Sequence, residues 1–283
     1  MSDTKERTGR KRTAVDKLIC GINDVRYAVI EPFLLKLARN KYAHLYCDPA
    51  EKPLISVYVP TYNRADLLME RAVKSVLDQT YTNFEFIIIG DCCNDDTAER
   101  IAQIKDPRIR FYNRRKRSCG YPQTPEGRWF AGPVMAANRA LEMIRGKWIA
   151  RLDDDDIWTP DHLEVLLNFA QENDYEFVSA SYMSERYGEK ILVNAGDDNP
   201  RIGGTQTWLY RSYLSFFRYN INCWRKDWNK VNDTDIQQRI YDAGVRMGFL
   251  DKVVAHIIPR PGERTIGLDA YIEAEKSGIT VHG

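Results

Sequence analysis

The stretch Arg151–Leu163, RLDDDDIWTPDHL, sets four aspartates side by side directly after the apolar run GKWIARL. Carboxylates this close repel one another and resist leaving water. Such a run is tolerated where water, a cation or a phosphate-bound metal shares the site. A merely solvated acidic loop would be flanked by polar residues, whereas this one lies between WIARL and IWTP. It reads as the end of a buried strand that delivers carboxylates to a ligand.

Working outward from it, short β-rich runs alternate with helical ones after Pro53, the signature of βαβ units and a mainly parallel sheet. Strands are expected at 54–60 (LISVYVP), 84–90 (FEFIIIG), 109–113 (RIRFY) and 147–152 (KWIARL). Helices are expected at 65–79, 95–104 and 133–145, with another at 160–172 after the Thr159-Pro160 start signal. Beyond Asp174 the pattern is less regular. Strands are expected at 176–182, 190–193, 217–223 and 252–257, with a helix at 233–243. In an open parallel sheet ligands bind outside the carboxyl ends of the strands. PTYNR (Pro60–Arg64), GDCCNDDT (Gly90–Thr97) and LDDDD (Leu152–Asp156) therefore fall on one sheet edge. Taken singly, TYNRAD and CNDDTAER also read as helix caps. Asp91 is different, because it follows FIIIG directly and is placed to point into the crevice.

The chain has 283 residues, 43% of them hydrophobic, and a formal net charge of +1, which argues against a dedicated nucleic-acid binder. No run of 18 apolar residues and no signal-peptide core occur, so a cytoplasmic protein is expected, soluble or peripheral to the inner face of a membrane. The six cysteines form no CxxC pair and are expected to be reduced. Residues 1–13 carry five basic against two acidic side chains, +3, and read as a disordered tail. Residues 14–50 read as a helical extension: Val15, Leu18, Ile19, Ile22, Val25, Val29, Ile30 and Phe33 recur at helical steps, and Pro32 is expected to kink or divide the helix. The partner of residues 15–38 is left open between the body of the protein, a second copy in a homodimer and an anionic membrane surface.

The ordered motifs ISVYVPTYNRADLLMERAVKSVLDQTYTNFEFIIIGDCCNDDT, GPVMAANRALEMIRGKWIARLDDDDIWTPDHL and NDTDIQQRIYDAG resemble glycosyltransferase family two over residues 53–260. The resemblance implies an α/β, GT-A-like (Rossmann-like) fold. Residues 53–174 would be the nucleotide-sugar-binding half and 175–283 the acceptor-binding half of one domain. It also implies transfer of a sugar, with inversion, from a nucleotide-diphosphate sugar donor, assisted by Mn2+ or Mg2+. Such ions prefer oxygen ligands and often use only one or two carboxylates plus substrate phosphates, which suits a carboxylate loop without Cys or His.

In the family's D-x-D pattern the outer pair corresponds to Asp153 and Asp155. Asp155 is the foremost metal ligand, and Asp153 or Asp154 faces the ribose or diphosphate; four aspartates leave the register open by one residue. By the same carry-over Asp91 contacts the donor base, Thr61, Tyr62 and Asn63 belong to the nucleoside pocket, and Asn138 lies on the helix before the D-x-D strand. That helix has Ala137 where the family often has arginine. Inversion needs one base on the acceptor hydroxyl. Asp233 is the candidate, at the second position of the family's "ED" pair. Asn232 occupies the first position, and Asp235 is close enough to be the alternative. The Q-x-x-R-W signature of processive synthases is incomplete at QQRI, which favours transfer of a single sugar to a hydroxyl acceptor, a glycan or a lipid-linked saccharide. The rivals are a catalytically silent nucleotide-sugar or polysaccharide-binding module and a sugar nucleotidyltransferase. The latter should carry a glycine-rich phosphate loop that PTYNRADLL lacks.

Other signals rank lower. Residues 153–164 imitate an EF-hand loop but hold Trp158 where a glycine is required. His162 and Glu164 are expected on the outer face of the following helix. Residues 113–131 read as a long connection, in which Arg114, Arg115, Lys116 and Arg117 either attract the donor diphosphate or an anionic acceptor or are simply solvated, and Arg128 and Trp129 are better placed for ligand contact. His256 is a weak candidate for a third metal ligand. Trp208, Tyr210, Tyr213, Phe216, Phe217 and Tyr219 suit either an acceptor platform or the core.

Overall fold

A computed structural model of the chain describes residues 12–48, 51–117, 120–122, 124–194, 201–226 and 232–276. Residues 1–11 of the expected tail and Cys119 lie outside the described residues. The described chain opens with helix α1 (Ala14–Tyr42), capped by Thr13, whose hydroxyl accepts from the Asp16 amide while Asp16 accepts from the Thr13 backbone. Pro32 does not divide this helix. The missing amide would have served the carbonyl of Ala28, which lies on the exposed face where water can take it.

Strand β1 (Ile55–Thr61) follows, then a helical segment made of α2 (Ala65–Leu67), a π-helical Leu68–Val73 and α3 (Lys74–Leu77). Next come β2 (Phe84–Gly90), α4 (Thr97–Gln103), β3 (Ile109–Asn113), α5 (Pro125–Ala131), α6 (Val134–Leu141) and β4 (Trp148–Arg151). The remaining elements are β5 (Asp156–Trp158), α7 (His162–Glu172), β6 (Phe177–Arg186), β7 (Glu189–Val193), β8 (Leu209–Arg211), α8 (Asn232–Asp242), β9 (Met247–Ile257) and α9 (Gly267–Lys276).

The strands form one sheet in the order β3-β2-β1-β4-β8-β6-β9-β5, with β7 paired to β6. β1, β2, β3 and β4 run parallel. β8 is antiparallel to both β4 and β6, whereas β9 is parallel to β6. Every residue of β1 and β2 is buried, which is why both read as continuous apolar runs. Alternate side chains feed two cores. Ile55, Val57, Val59, Phe86 and Ile88 pack with Val73 and Val76 of the α2–α3 segment and Leu163, Leu166 and Leu167 of α7. Tyr58, Ile87, Ile89 and Ile149 pack on the other face with α6, Ile236 and Ile240 of α8, and Leu35 and Ala38 of α1.

The structure corrects several expectations. Residues 217–223 are not a strand; the strand of that region is β8, earlier in the chain. The Tyr219 backbone amide and carbonyl are taken instead by both atoms of the Asn138 side-chain amide, at 2.9 Å each. Trp208, Tyr210, Tyr213, Phe217 and Tyr219 are core residues, with Phe216 packed against them, so they form no acceptor platform. Residues 125–131 of the expected connection are helical, started by Thr124 and Pro125, the same signal that was legible at Thr159-Pro160. His162 is fully buried rather than on an outer helix face. It stacks on Trp158 at 3.9 Å and bonds the Val254 carbonyl through Nδ1 at 2.9 Å, and burial pushes its pKa down to about 3.

Candidate active site

The carboxyl ends of β1, β2 and β4 open into a cavity of about 350 Å³. It brings together Thr61, Tyr62, Asp91, Asp153, Asp154, Asp155 and Asp233, all singled out in the sequence. Asn63 and Asn138 are not among its lining residues. Asn63 instead exchanges hydrogen bonds with Asn94, and Asn138 clamps Tyr219. His256 sits opposite Ile157 in the β5–β9 pairing, also away from the lining.

The four aspartates have four different fates. Asp153 accepts from Nε and Nη2 of the buried Arg151, at 3.2 and 2.9 Å, and keeps 34% side-chain exposure. Asp154 is only 6% exposed, with both oxygens occupied: Thr61 Oγ1 donates to one at 2.7 Å and Arg64 to the other at 3.1 Å. Burial pushes its pKa up, Arg64 opposes this, and Asp155 adds to it. Asp155, 20% exposed, pairs with Arg260 at 3.0 Å and Arg64 at 3.5 Å, and its carbonyl accepts from Arg71 at 2.8 Å. Burial pushes upward there too, but the guanidinium groups of Arg64, Arg260 and Arg71 outweigh it and hold Asp155 below the usual carboxylate range. Asp156 is buried at the start of β5. Burial and then its three aspartate neighbours raise it well above that range. The side chains least enclosed are thus those at 153 and 155.

Asp91 pairs with Arg114 and, at 3.4 Å, with Arg117. The Arg117 guanidinium also lies 3.8 Å from the centre of the Tyr62 ring. Two members of the basic run are therefore site residues, while Arg115 and Lys116 are exposed. Arg128 and Trp129, on α5, line the cavity.

The opposite wall is formed by Asp233 on α8, Gly204–Gln206, and Ile257, Ile258, Arg260 and Glu263 after β9. Asp233 is half-buried at the start of α8, where burial raises its pKa against the pull of Arg151. Asn232 is fixed by donating to the carbonyls of Phe130 and Gly132, at 3.0 and 2.9 Å. It therefore docks α8 on the end of α5, a structural task where the family pattern has an acid. Asp235 is buried away from the cavity in ion pairs with Lys226 at 2.5 Å and Arg239 at 3.2 Å. Gly203 brings the Gly204–Gln206 wall against β6: a Cβ there would stand 2.2 Å from the Ala180 carbonyl oxygen.

Arg71, Arg260, Glu263 and Gln206 carried no signal in the reading of the sequence. Arg260, in the turn-forming IIPRPGER that follows an expected strand, could have been found by asking which cations lie at strand ends. The chemistry of the site is that of hard oxygen donors. Among the described residues, no three Asp, Glu, His or Cys side chains converge into a ready-made metal cage.

The sequence profile described as "Glycosyl transferase family 2" matches residues 56–123 and 126–231. The chain is 37% identical over 122 residues to the putative colanic acid biosynthesis glycosyl transferase WcaA of Escherichia coli K12, covering 42% of this chain and 39% of that one. It is 30% identical over 129 residues to an E. coli UDP-Glc:alpha-D-GlcNAc-diphosphoundecaprenol beta-1,3-glucosyltransferase, WfgD, covering 46% of each. The chain spans less than half the length of the curated relatives it matches. Among solved structures, S. aureus TarS 1-349 in complex with UDP-GlcNAc superposes with a TM-score of 0.58 at 19% identity, covering 74% of this chain and 60% of that one. The mannosyltransferase PcManGT of Pyrobaculum calidifontis, in complex with GDP-Man and Mn2+, gives 0.56 at 17% identity, with 83% and 70% covered. The shared architecture is the GT-A fold.

Proposed function

The chain belongs to glycosyl transferase family 2, and on that premise we propose that it transfers one sugar, with inversion, from a nucleotide-diphosphate sugar to a hydroxyl of a glycan or lipid-linked saccharide. The observation that carries this reading is the convergence of Asp91, Asp153, Asp155 and Asp233 on one cavity from three separate segments. The names of the relatives support the substrate class: TarS holds UDP-GlcNAc, PcManGT holds GDP-Man, and WfgD acts on a diphosphoundecaprenol acceptor.

In this reading Asp91 and Tyr62 hold the nucleoside, and Arg64 and Arg260 face the diphosphate. Asp154, saturated by Thr61 and Arg64, fixes the loop that presents its neighbours. Asp153 and Asp155, the two less enclosed aspartates, would hold a Mn2+ or Mg2+ ion through their hard oxygens. When bound, it would offset the charge that builds on the leaving diphosphate. Asp233 takes the proton from the acceptor hydroxyl. That oxygen bonds the anomeric carbon, the carbon–oxygen bond to the diphosphate breaks, and the nucleoside diphosphate departs. The raised pKa of Asp233 favours a base that still binds its proton productively.

Asp233→Asn is the test. It should lower kcat by about 10²–10⁴-fold with donor binding nearly unchanged. The wild-type kcat/KM should fall on the acid side as Asp233 gains its proton, at a pH above the ordinary aspartate range. Retained turnover in the variant would remove Asp233 from the mechanism.

A further inference from the structure

The outward face of α1 is an apolar stripe that nothing in the described structure covers. Val15, Leu18, Ile22, Val25 and Val29 follow one another at steps of three and four, and Phe33 continues the row. These six side chains are 59% to 67% exposed. At about 1.5 Å per residue the stripe is roughly 27 Å long. A Cβ placed on Gly21, beside it, would meet no atom within 4 Å.

The helix is nevertheless held rigidly by its other face. Asp16 pairs with Arg225 at 2.8 Å, Asp24 with Lys226 at 2.8 Å, Glu31 with Arg239 at 2.6 Å and Arg39 with Glu176 at 2.5 Å. Every acidic side chain of the helix is thus tied to a cation of the body. The cations Lys17, Arg26, Lys36 and Lys41 are exposed, and Lys17 and Arg26 border the same outer surface as Leu18, Ile22, Val25 and Val29. With about 100° of rotation per residue, Lys17 falls on one flank of the stripe and Arg26 on the other.

We propose that α1 is a membrane-docking helix that lies in the plane of an anionic lipid surface, its stripe in the acyl boundary and its flanking cations among the headgroups. An apolar strip edged on both sides by Lys and Arg is the pattern such a surface binds. A second copy of the chain fits less well. A two-fold pairing of the stripes would bring two cation-bearing faces together, with no free acid on either to answer them. Among the described residues no helix is long and apolar enough to cross a membrane, so the mode is lying on the surface rather than spanning. The inference rests on α1 alone and stands whether or not the proposed transfer is correct.

The test is flotation of the full chain with vesicles of equal parts phosphatidylglycerol and phosphatidylcholine, and with phosphatidylcholine alone. The anionic vesicles should carry the protein, less so at high salt. Leu18→Glu/Val25→Glu should reduce the vesicle partition constant by at least about a hundredfold. Lys17→Ala and Arg26→Ala should each lower that constant about fivefold on anionic vesicles only. All four positions are exposed, and circular dichroism and sedimentation velocity check fold and oligomeric state. Absence of flotation by the folded wild type would overturn the proposal. So would a wild-type dimer that the apolar double variant splits, which would assign the stripe to a second copy.

Discussion

The two walls of the cavity are built in different ways. One consists of strand ends: Thr61 closes β1, Asp91 follows β2 and the aspartate run follows β4. The ladder hydrogen bonds that align these parallel strands also align their last residues, so the wall inherits its geometry from the sheet. The other wall has no such common origin. Arg260 is placed because Arg71 donates to the carbonyls of Ile258 and Pro259, and Asp233 because Asn232 grips the end of α5. Gln206 follows because Gly203 abuts β6 and accepts from Gln237 and Trp208. In the first wall side-chain bonds such as Thr61 to Asp154 add to positions already set by the backbone ladder, whereas in the second they set the positions themselves.

That contrast is tested most strongly at Arg260, the far-wall cation paired with Asp155. Arg260→Ala should raise the donor KM by about ten- to a hundredfold, the worth of a hydrogen bond to a charged group, and change kcat less. Steady-state kinetics over a range of donor concentrations checks this. An unchanged KM would confine the donor site to the strand-end wall.

A smaller effect is expected from the support behind that wall. His162 holds β9 through the Val254 carbonyl and stacks on β5 through Trp158. Its folded pKa, about 3, lies below the ordinary 6.5, so the unfolded chain binds the proton more readily. Its contribution to stability is therefore complete above 6.5 and is lost as the pH falls from there toward 3, by at most about 1.4 kcal/mol per unit. In His162→Phe, which keeps an aromatic stack without a titrating ring, Tm should decline less steeply over that window. Parallel Tm curves for variant and wild type would show that His162 takes no part in the acid response.

The same contrast explains what was legible in the sequence. The strands of residues 54–60 and 84–90 fall where the apolar runs place them to within a residue, because a strand buried on both faces is a local pattern. The convergence of Thr61, Tyr62 and Asp91 with the aspartate run follows from strand order alone. The resemblance sets Asn138 on a helix near the donor, but its amide holds the backbone at Tyr219. That contact joins residues 81 positions apart, and no pattern around either residue encodes it. The aromatic run 208–219 suits an acceptor platform or the core equally well by composition. Only the packing of α6 and α8 on the second core decides that it is interior. Likewise His162 lies on a helix whose exposed face could be guessed from spacing, yet β5, three residues long, covers it.

The central claim is that the aspartate run is the seat of a metal-assisted nucleotide-sugar site. It is tested most directly by calorimetric titration of UDP, GDP and dTDP, each with and without Mn2+, into the wild type and Asp155→Ala. The account predicts that one nucleotide binds the wild type in a Mn2+-dependent way, and that the dependence disappears in the variant although the fold is retained. Binding of none of the three, or equal Mn2+-dependent binding by wild type and variant, would contradict it.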